Sequence, residues 1–185
     1  MNSDEFDELI SAGDPAMIVV TAAGSAGRAG CLVGFHSPCS ISLFRYAIWI
    51  STANHTAHVA PTAEHLGLHF LSAPDRHLAE LFGSVSGDDA DKFERCSHTQ
   101  RRNGVPELTD CANRMIVRRV ATLDEGGDHL CLTVEPIAVT HGPYDPLRLS
   151  MVADISAGHP ASGRETAASP DDPRGSHTRN GRPVA

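Results

Sequence analysis

The sequence predicts a mainly β protein, a β-barrel with helical additions, and three observations carry that prediction. Apolar runs of strand length, rich in β-branched residues, recur at Met17-Ile18-Val19-Val20-Thr21, Tyr46-Ala47-Ile48-Trp49-Ile50 and Met115 to Leu123. Clusters of Gly, Ser, Pro and Asn separate them. Strands and helices do not alternate, which argues against a doubly wound parallel sheet.

In chain order, residues Ser3 to Ala12 read as a short amphipathic helix with Phe6, Leu9 and Ile10 on one side. Met17 to Thr21 is a continuous apolar strand, and Ala22 to Ala29 a glycine-bearing turn. Its glycines do not follow G-x-G-x-x-G and a strand follows them, so this is not a dinucleotide fingerprint. The stretch from Gly30 to Thr56 reads as strand, loop, strand, loop: Gly30 to Phe35, the polar His36 to Ser40, Tyr46 to Ile50, then Ser51 to Thr56. Gly34 lets a flat ligand or a backbone come close, because it has no Cβ. Thr56 is placed to cap a helix at Ala57 to Ala60, and a capped helix start offers N–H groups to a phosphate.

Gly67 to Leu71 gives another strand, and Pro74 to Gly83 a helix with Leu78, Leu81 and Phe82 as its apolar stripe. Cys96 to Pro106 is polar and irregular. Met115 to Leu123 and His129 to Val134, running on to Ile137-Ala138-Val139, pair as a hairpin across Asp124 to Asp128. From about Ala157 the chain is rich in Pro, Gly, Ser and Arg and has almost no large apolar residues, the composition of a disordered tail. The expected division is an N-terminal helix over 1–13, one barrel domain over 14–155 and a disordered tail over 156–185.

A net charge of −8 argues against general binding to nucleic acid or anionic membranes. The acidic start is no secretory signal and no apolar run is long enough to span a bilayer, so a soluble, cytoplasmic protein is expected. Five cysteines without a C-x-x-C pair fit reduced thiols, and eleven scattered histidines show no metal-ligand spacing.

Taken together, Gly30-Cys31-Leu32-Val33-Gly34-Phe35-His36, Ser40-Ile41-Ser42, Arg45-Tyr46 and Ala53-Asn54-His55-Thr56 resemble the flavin reductase-like family of FMN-binding split barrels. The order of later features is similar too: the Gly67 to Leu71 strand, Asp91-Lys92-Phe93 after a helix, and Gly127-Asp128-His129 opening a late strand. The resemblance covers about residues 14 to 145. It implies a split barrel, usually a homodimer with flavin near the interface. It implies an oxidoreductase in which NADH or NADPH reduces FMN, FAD or riboflavin, in many members to supply a partner monooxygenase. By the same resemblance Gly34, Phe35, His36 and Ser37 approach the flavin ring. Ala53, Asn54, His55 and Thr56 hold the ribityl phosphate, and Asp128 and His129 sit by the nicotinamide and flavin as the catalytic pair. No metal is implied.

This chain departs from the family pattern at Ser42-Leu43-Phe44, where Asp-Pro-Pro is common, and at His69, where Asn is common. The first bears on the wall of the flavin pocket or the cofactor preferred, and both bear on the choice of substrate. A flavin carrier or sensor without turnover, and a deazaflavin-dependent oxidoreductase of the same fold, are the alternatives.

Overall fold

A computed structural model of the chain describes residues 3–101 and 104–158. Its elements run α1 (Ser3–Ser11), β1 (Ile18–Gly24), β2 (Gly27–Val33), β3 (His36–Ser40), β4 (Arg45–Ser51), α2 (Thr56–Val59), β5 (His65–Phe70), α3 (Arg76–Ser84), β6 (His98–Gln100), β7 (Pro106–Leu108), β8 (Asn113–Asp124) and β9 (His129–Thr140). Seven strands form one antiparallel sheet in the order β2-β1-β5-β8-β9-β4-β3, while β6 and β7 pair separately. Beyond Gly158, the expected tail lies outside the described residues. Among the described residues no helix is long and apolar enough to cross a membrane.

The sheet order dictates its shape. β2 and β3 are its two edges, yet only Gly34 and Phe35 separate them in the chain. The three backbone steps from Val33 to His36 span at most about 11 Å, so the sheet curls until its edges come close. The Trp49 N–H donates to the Phe35 carbonyl at 2.9 Å and holds that junction against β4. The result is an open, split barrel.

Curling divides the apolar residues into two cores. Ile18, Val20, Ile48, Ile50, Leu66, Leu68 and Leu132 fill the barrel interior. Met17, Val19, Leu78, Phe82, Phe93 and Leu108 form a second core outside it, beneath α3. β1 is therefore buried on both faces, which explains its unbroken apolar run.

Several local expectations are corrected. His36 to Ser40 is an edge strand, not a loop, paired to β4 with a bulge between Pro38 and Ser40. Edge strands face water and tolerate proline, so polar residues there carry no loop signal. The stretch expected to be irregular, Cys96 to Pro106, contains the short β6 and ends at the first residue of β7. α3 begins at Arg76 after a single 3-10 turn, Ala73–Asp75, in which the Asp75 carboxylate accepts from the Ser72 N–H at 2.8 Å. Thr56 is the first residue of α2 rather than its cap, and its side chain is buried.

Lys92, the only lysine, is buried, and its ammonium donates to the carbonyls of Gly30 (2.9 Å) and Phe82 (3.2 Å). Burial pulls its pKa down. Its chemistry is thus used to tie β2 to the end of α3, and neighbouring Arg28 is paired with Asp91. His69 is likewise a core residue. Its Nδ1–H donates to the Val19 carbonyl at 3.1 Å and its Nε2 accepts from the Leu108 N–H at 3.0 Å, so only the neutral ring fits. This departure from the family pattern therefore lies in the core between β1, β5 and β7.

Burial drives the His69 pKa down to about 4. Because the folded ring resists a proton that the unfolded ring accepts, stability is full above about pH 6.5 and falls as pH drops toward 4. Urea unfolding followed from pH 7.5 to pH 4 should lose about 3 kcal/mol to this residue, and His69→Gln should flatten that part of the slope. An unchanged slope in His69→Gln contradicts the assignment.

Candidate functional site

The junction that closes the barrel also builds its most chemically varied cleft. Between Gly34-Phe35 on one side and the start of β9 on the other lies a cavity of about 390 Å³, inside the range of about 300–1,000 Å³ usual for small-molecule sites. Met17, Leu32, Phe35, Trp49 and Leu149 give it apolar walls; Ser51, Asn54, Asp128 and His129 gather at its polar end.

Strand register explains the gathering. Ser51 pairs with His129 and Trp49 with Cys131, and alternate residues share a face, so Trp49, Ser51, His129 and Cys131 share one side of the sheet. The Asp128 carbonyl accepts from both the N–H (2.8 Å) and the hydroxyl (3.1 Å) of Thr52, which locks the start of β9 to the loop after β4. His129 then lies against Phe35, with ring centroids 5.1 Å apart and planes tilted by 51°. Its Nδ1 meets the Asp128 carboxylate at 2.8 Å. That hydrogen bond holds the Asp128 carboxyl below its ordinary range. With Nδ1–H committed to Asp128, Nε2 is the atom left to meet a ligand.

Of the residues singled out in the sequence, Gly34, Phe35, Asn54, Asp128 and His129 line this cleft together. The others stand apart from it. His36 uses both ring nitrogens, Nδ1 with the Tyr46 hydroxyl at 2.6 Å and Nε2 with the Ala16 carbonyl at 2.7 Å, and burial lowers its pKa. Ser37 is exposed on β3, where its hydroxyl donates to the Pro38 carbonyl. Ala53 follows the cleft wall as a turn, its N–H pointing to the Ser51 hydroxyl at 3.4 Å. His55 Nδ1 is paired with Asp88 at 2.7 Å. The Thr56 hydroxyl is turned inward to the Cys31 thiol, whose pKa burial pushes up to about 11.

Ser42-Leu43-Phe44 forms part of the exposed turn between β3 and β4 and supplies no wall of the cleft. Trp49, Met17, Leu32 and Leu149 do supply walls; in sequence Trp49 reads as core, and the other three carry no ligand signal. Each is an apolar residue of ordinary type, so only long-range pairing reveals its place.

The profile of the flavin reductase like domain matches residues 12–150. The chain belongs to the flavin reductase-like family. No curated protein matches the chain by sequence. Among solved structures, a putative oxidoreductase from Sinorhizobium meliloti 1021 superposes with a TM-score of 0.71 at 17% identity, covering 80% of this chain and 51% of that one. The chain thus spans about half the length of that protein. A flavin reductase domain protein from Arthrobacter sp. FB24 gives 0.69 at 18% identity, over 80% and 89% of the two chains. An NADH:FAD oxidoreductase from Streptomyces globisporus gives 0.67 at 17%, also over 80% and 89%. At these identities the structural likeness speaks for the shared fold.

A flavin fits the cleft of this flavin reductase-like domain on the structure's own terms. Its walls are apolar and aromatic, as a planar ring system needs, and its polar end matches a polyhydroxylated tail. A Cβ added at Gly34 would meet only the Met17 Sδ and Cε, at 3.4 and 3.5 Å. The glycine is therefore not demanded by internal packing, and its bare face borders the cavity. Gly34→Ala should melt within a few degrees of the parent, whereas Gly34→Phe should keep the fold and weaken flavin binding at least about tenfold. Equal flavin affinity in Gly34→Phe would place the ligand elsewhere.

Proposed function

We propose that this flavin reductase-like protein is an NAD(P)H-dependent flavin reductase, and that FMN, FAD or riboflavin is the flavin it takes. The observation that carries the reading is the meeting of Phe35, Trp49, Asp128 and His129 around one cleft. The flavin, when bound, supplies the ring that accepts a hydride from the reduced nicotinamide.

The protein's part is placement and electrostatics. Phe35 and Trp49 would flank the ring and keep water from its faces. The bare backbone at Gly34 would let the ring edge approach peptide N–H groups. His129, aligned by the Asp128 carboxylate, would present Nε2 to the reacting pair, as an acceptor when neutral and as a donor when protonated. The Ala53-Asn54-His55-Thr56 loop would receive the ribityl phosphate through its backbone and Asn54, since the Thr56 hydroxyl faces the core. No nucleophile or strong acid is needed, and the Asp128–His129 pair serves to position and to bias charge.

No lysine or arginine is among the described residues that line the cleft. A phosphate there would gain little charge-assisted stabilisation. This supports binding mainly through the ring, with flavin exchanging as a substrate rather than staying as a fixed group. The working form is proposed to be a homodimer, which would cover exposed apolar side chains such as Ile41, Leu43, Phe44, Ile137 and Val139. Delivery of reduced flavin to a partner monooxygenase is the role that an exchanging flavin would suit, and the cytoplasm is the proposed compartment.

Flavin titration should quench FMN or FAD fluorescence saturably, and riboflavin should bind within about tenfold of FMN. NADH or NADPH oxidation should depend on added flavin, and His129→Ala should slow it roughly 10- to 100-fold while flavin affinity changes less. Failure of both flavins to bind at micromolar protein would remove the proposal. Tight binding with no nucleotide oxidation would favour a carrier.

A further inference from the structure

A second cavity opens at the mouth of the barrel, where β5 ends at Phe70, β8 begins at Asn113 and β9 ends at Thr140. It measures about 280 Å³ and shares no lining residue with the flavin cleft. Phe70 and Met115 pack on the inner core and give the cavity an apolar wall. Asn113 builds its rim. The side-chain carbonyl accepts from the Gly142 N–H at 2.9 Å and the amide donates to the Pro143 carbonyl at 3.2 Å, which fixes the loop that leads to Tyr144. Barrel mouths are places where small ligands bind. We infer that this one is a binding site for a small monocarboxylate with an apolar body.

Charge selects the anion. Glu107 is one carboxylate between two guanidiniums. Arg101 takes both of its oxygens, through Nε and Nη2, whereas Arg114 donates to one of them through Nε. The trio therefore keeps one positive charge. Arg114 is the member that lines the cavity, with its side chain only 20% exposed. Its Nη1 donates to the Cys111 carbonyl at 2.7 Å, and no described residue takes its Nη2. Among the described residues no carboxylate lines the cavity. A part-buried guanidinium with a spare donor is matched best by a carboxylate. Tyr144 stands on the same lining. Burial raises its pKa, so its hydroxyl stays a donor.

Walls and size select the rest of the ligand. Phe70 and Tyr144 meet edge to face with ring centroids 6.3 Å apart, and Met115 extends their apolar surface. At about 30 Å³ for each water-sized group, the cavity holds about nine non-hydrogen atoms, enough for a carboxylate on a body of about six carbons. A flavin is far larger. An inorganic anion would leave the apolar walls uncovered, and an uncharged body would leave the spare guanidinium donor unpaired as it loses water. The inference goes beyond the flavin reading and does not rest on it.

The test is calorimetric titration of the full chain with sodium hexanoate. Saturable binding of one molecule per chain is expected. Hexan-1-ol, the same body without the charge, should bind at least about tenfold more weakly. Arg114→Gln should weaken hexanoate about tenfold or more. Arg118→Gln, on the same strand but outside the cavity, should leave it unchanged. If Arg114→Gln lowers the melting temperature through Glu107, Tyr144→Phe decides, because it removes only a hydroxyl; weakening of about threefold or more is expected. Absence of saturable binding at millimolar hexanoate, equal binding of hexan-1-ol, or unchanged affinity in Arg114→Gln and Tyr144→Phe overturns the inference. Val139 lines the cavity and is also among the residues a second copy would cover, so the same samples are sedimented. Hexanoate binding that appears only as copies separate assigns the cavity to their contact and overturns the inference too. Saturating FMN should not displace hexanoate; displacement would merge the two sites and overturn it. FMN binding without hexanoate binding overturns this inference alone.

Discussion

A seven-stranded sheet whose two edge strands are joined by a dipeptide has little freedom of shape. Gly34 and Phe35 must bridge from β2 to β3, so the sheet closes on itself and the junction lands against Trp49. The rest of the molecule follows from that closure. It separates an inner core from an outer one, leaves β1 buried on both faces, and sets Phe35 on the barrel's outer surface beside the start of β9.

The site is built from structural economies rather than reactive groups. The Asp128 backbone is fastened by Thr52, its carboxylate fastens His129, and His129 in turn packs on Phe35. Each contact is modest, about 1 kcal/mol or less for partly exposed groups. Their combined effect is to fix one imidazole beside the Phe35–Trp49 wall of the cleft. Three strongly perturbed groups, His69, Cys31 and Glu107, have partners within the fold and lie outside the cleft. Glu107, for example, is held down to about 2 by Arg101 first, with Arg114 also hydrogen-bonded.

Much of the strand pattern was legible because apolar runs such as Met17 to Val20 and Tyr46 to Ile50 must be buried somewhere. β3 was not, because its side chains face water and Pro38 reads as a break. The ordered motifs around Gly34, Phe35 and Asp128-His129 lie far apart in the sequence, and strand pairing brings them to one cleft. The place of His36 and Thr56 in those motifs predicts ligand contacts, whereas in the structure their polar atoms meet protein partners. Yet a histidine with two good protein acceptors and donors, and a threonine facing a buried thiol, look no different in sequence from exposed ones. Trp49 shows the converse. An indole in an apolar strand reads as core, and only the register with β9 shows that it stands on the cleft side.

Trp49 is the chain's single tryptophan and lines the cleft, so its emission offers the most direct measurement of where a planar cofactor sits. Excitation of Trp49 while FMN is titrated should show near-complete loss of tryptophan emission by energy transfer to a ring in van der Waals contact. Saturation should coincide with that of flavin binding. Flavin bound at saturation with Trp49 emission left largely intact would contradict the account, because the ring would then lie away from the Phe35–Trp49 wall.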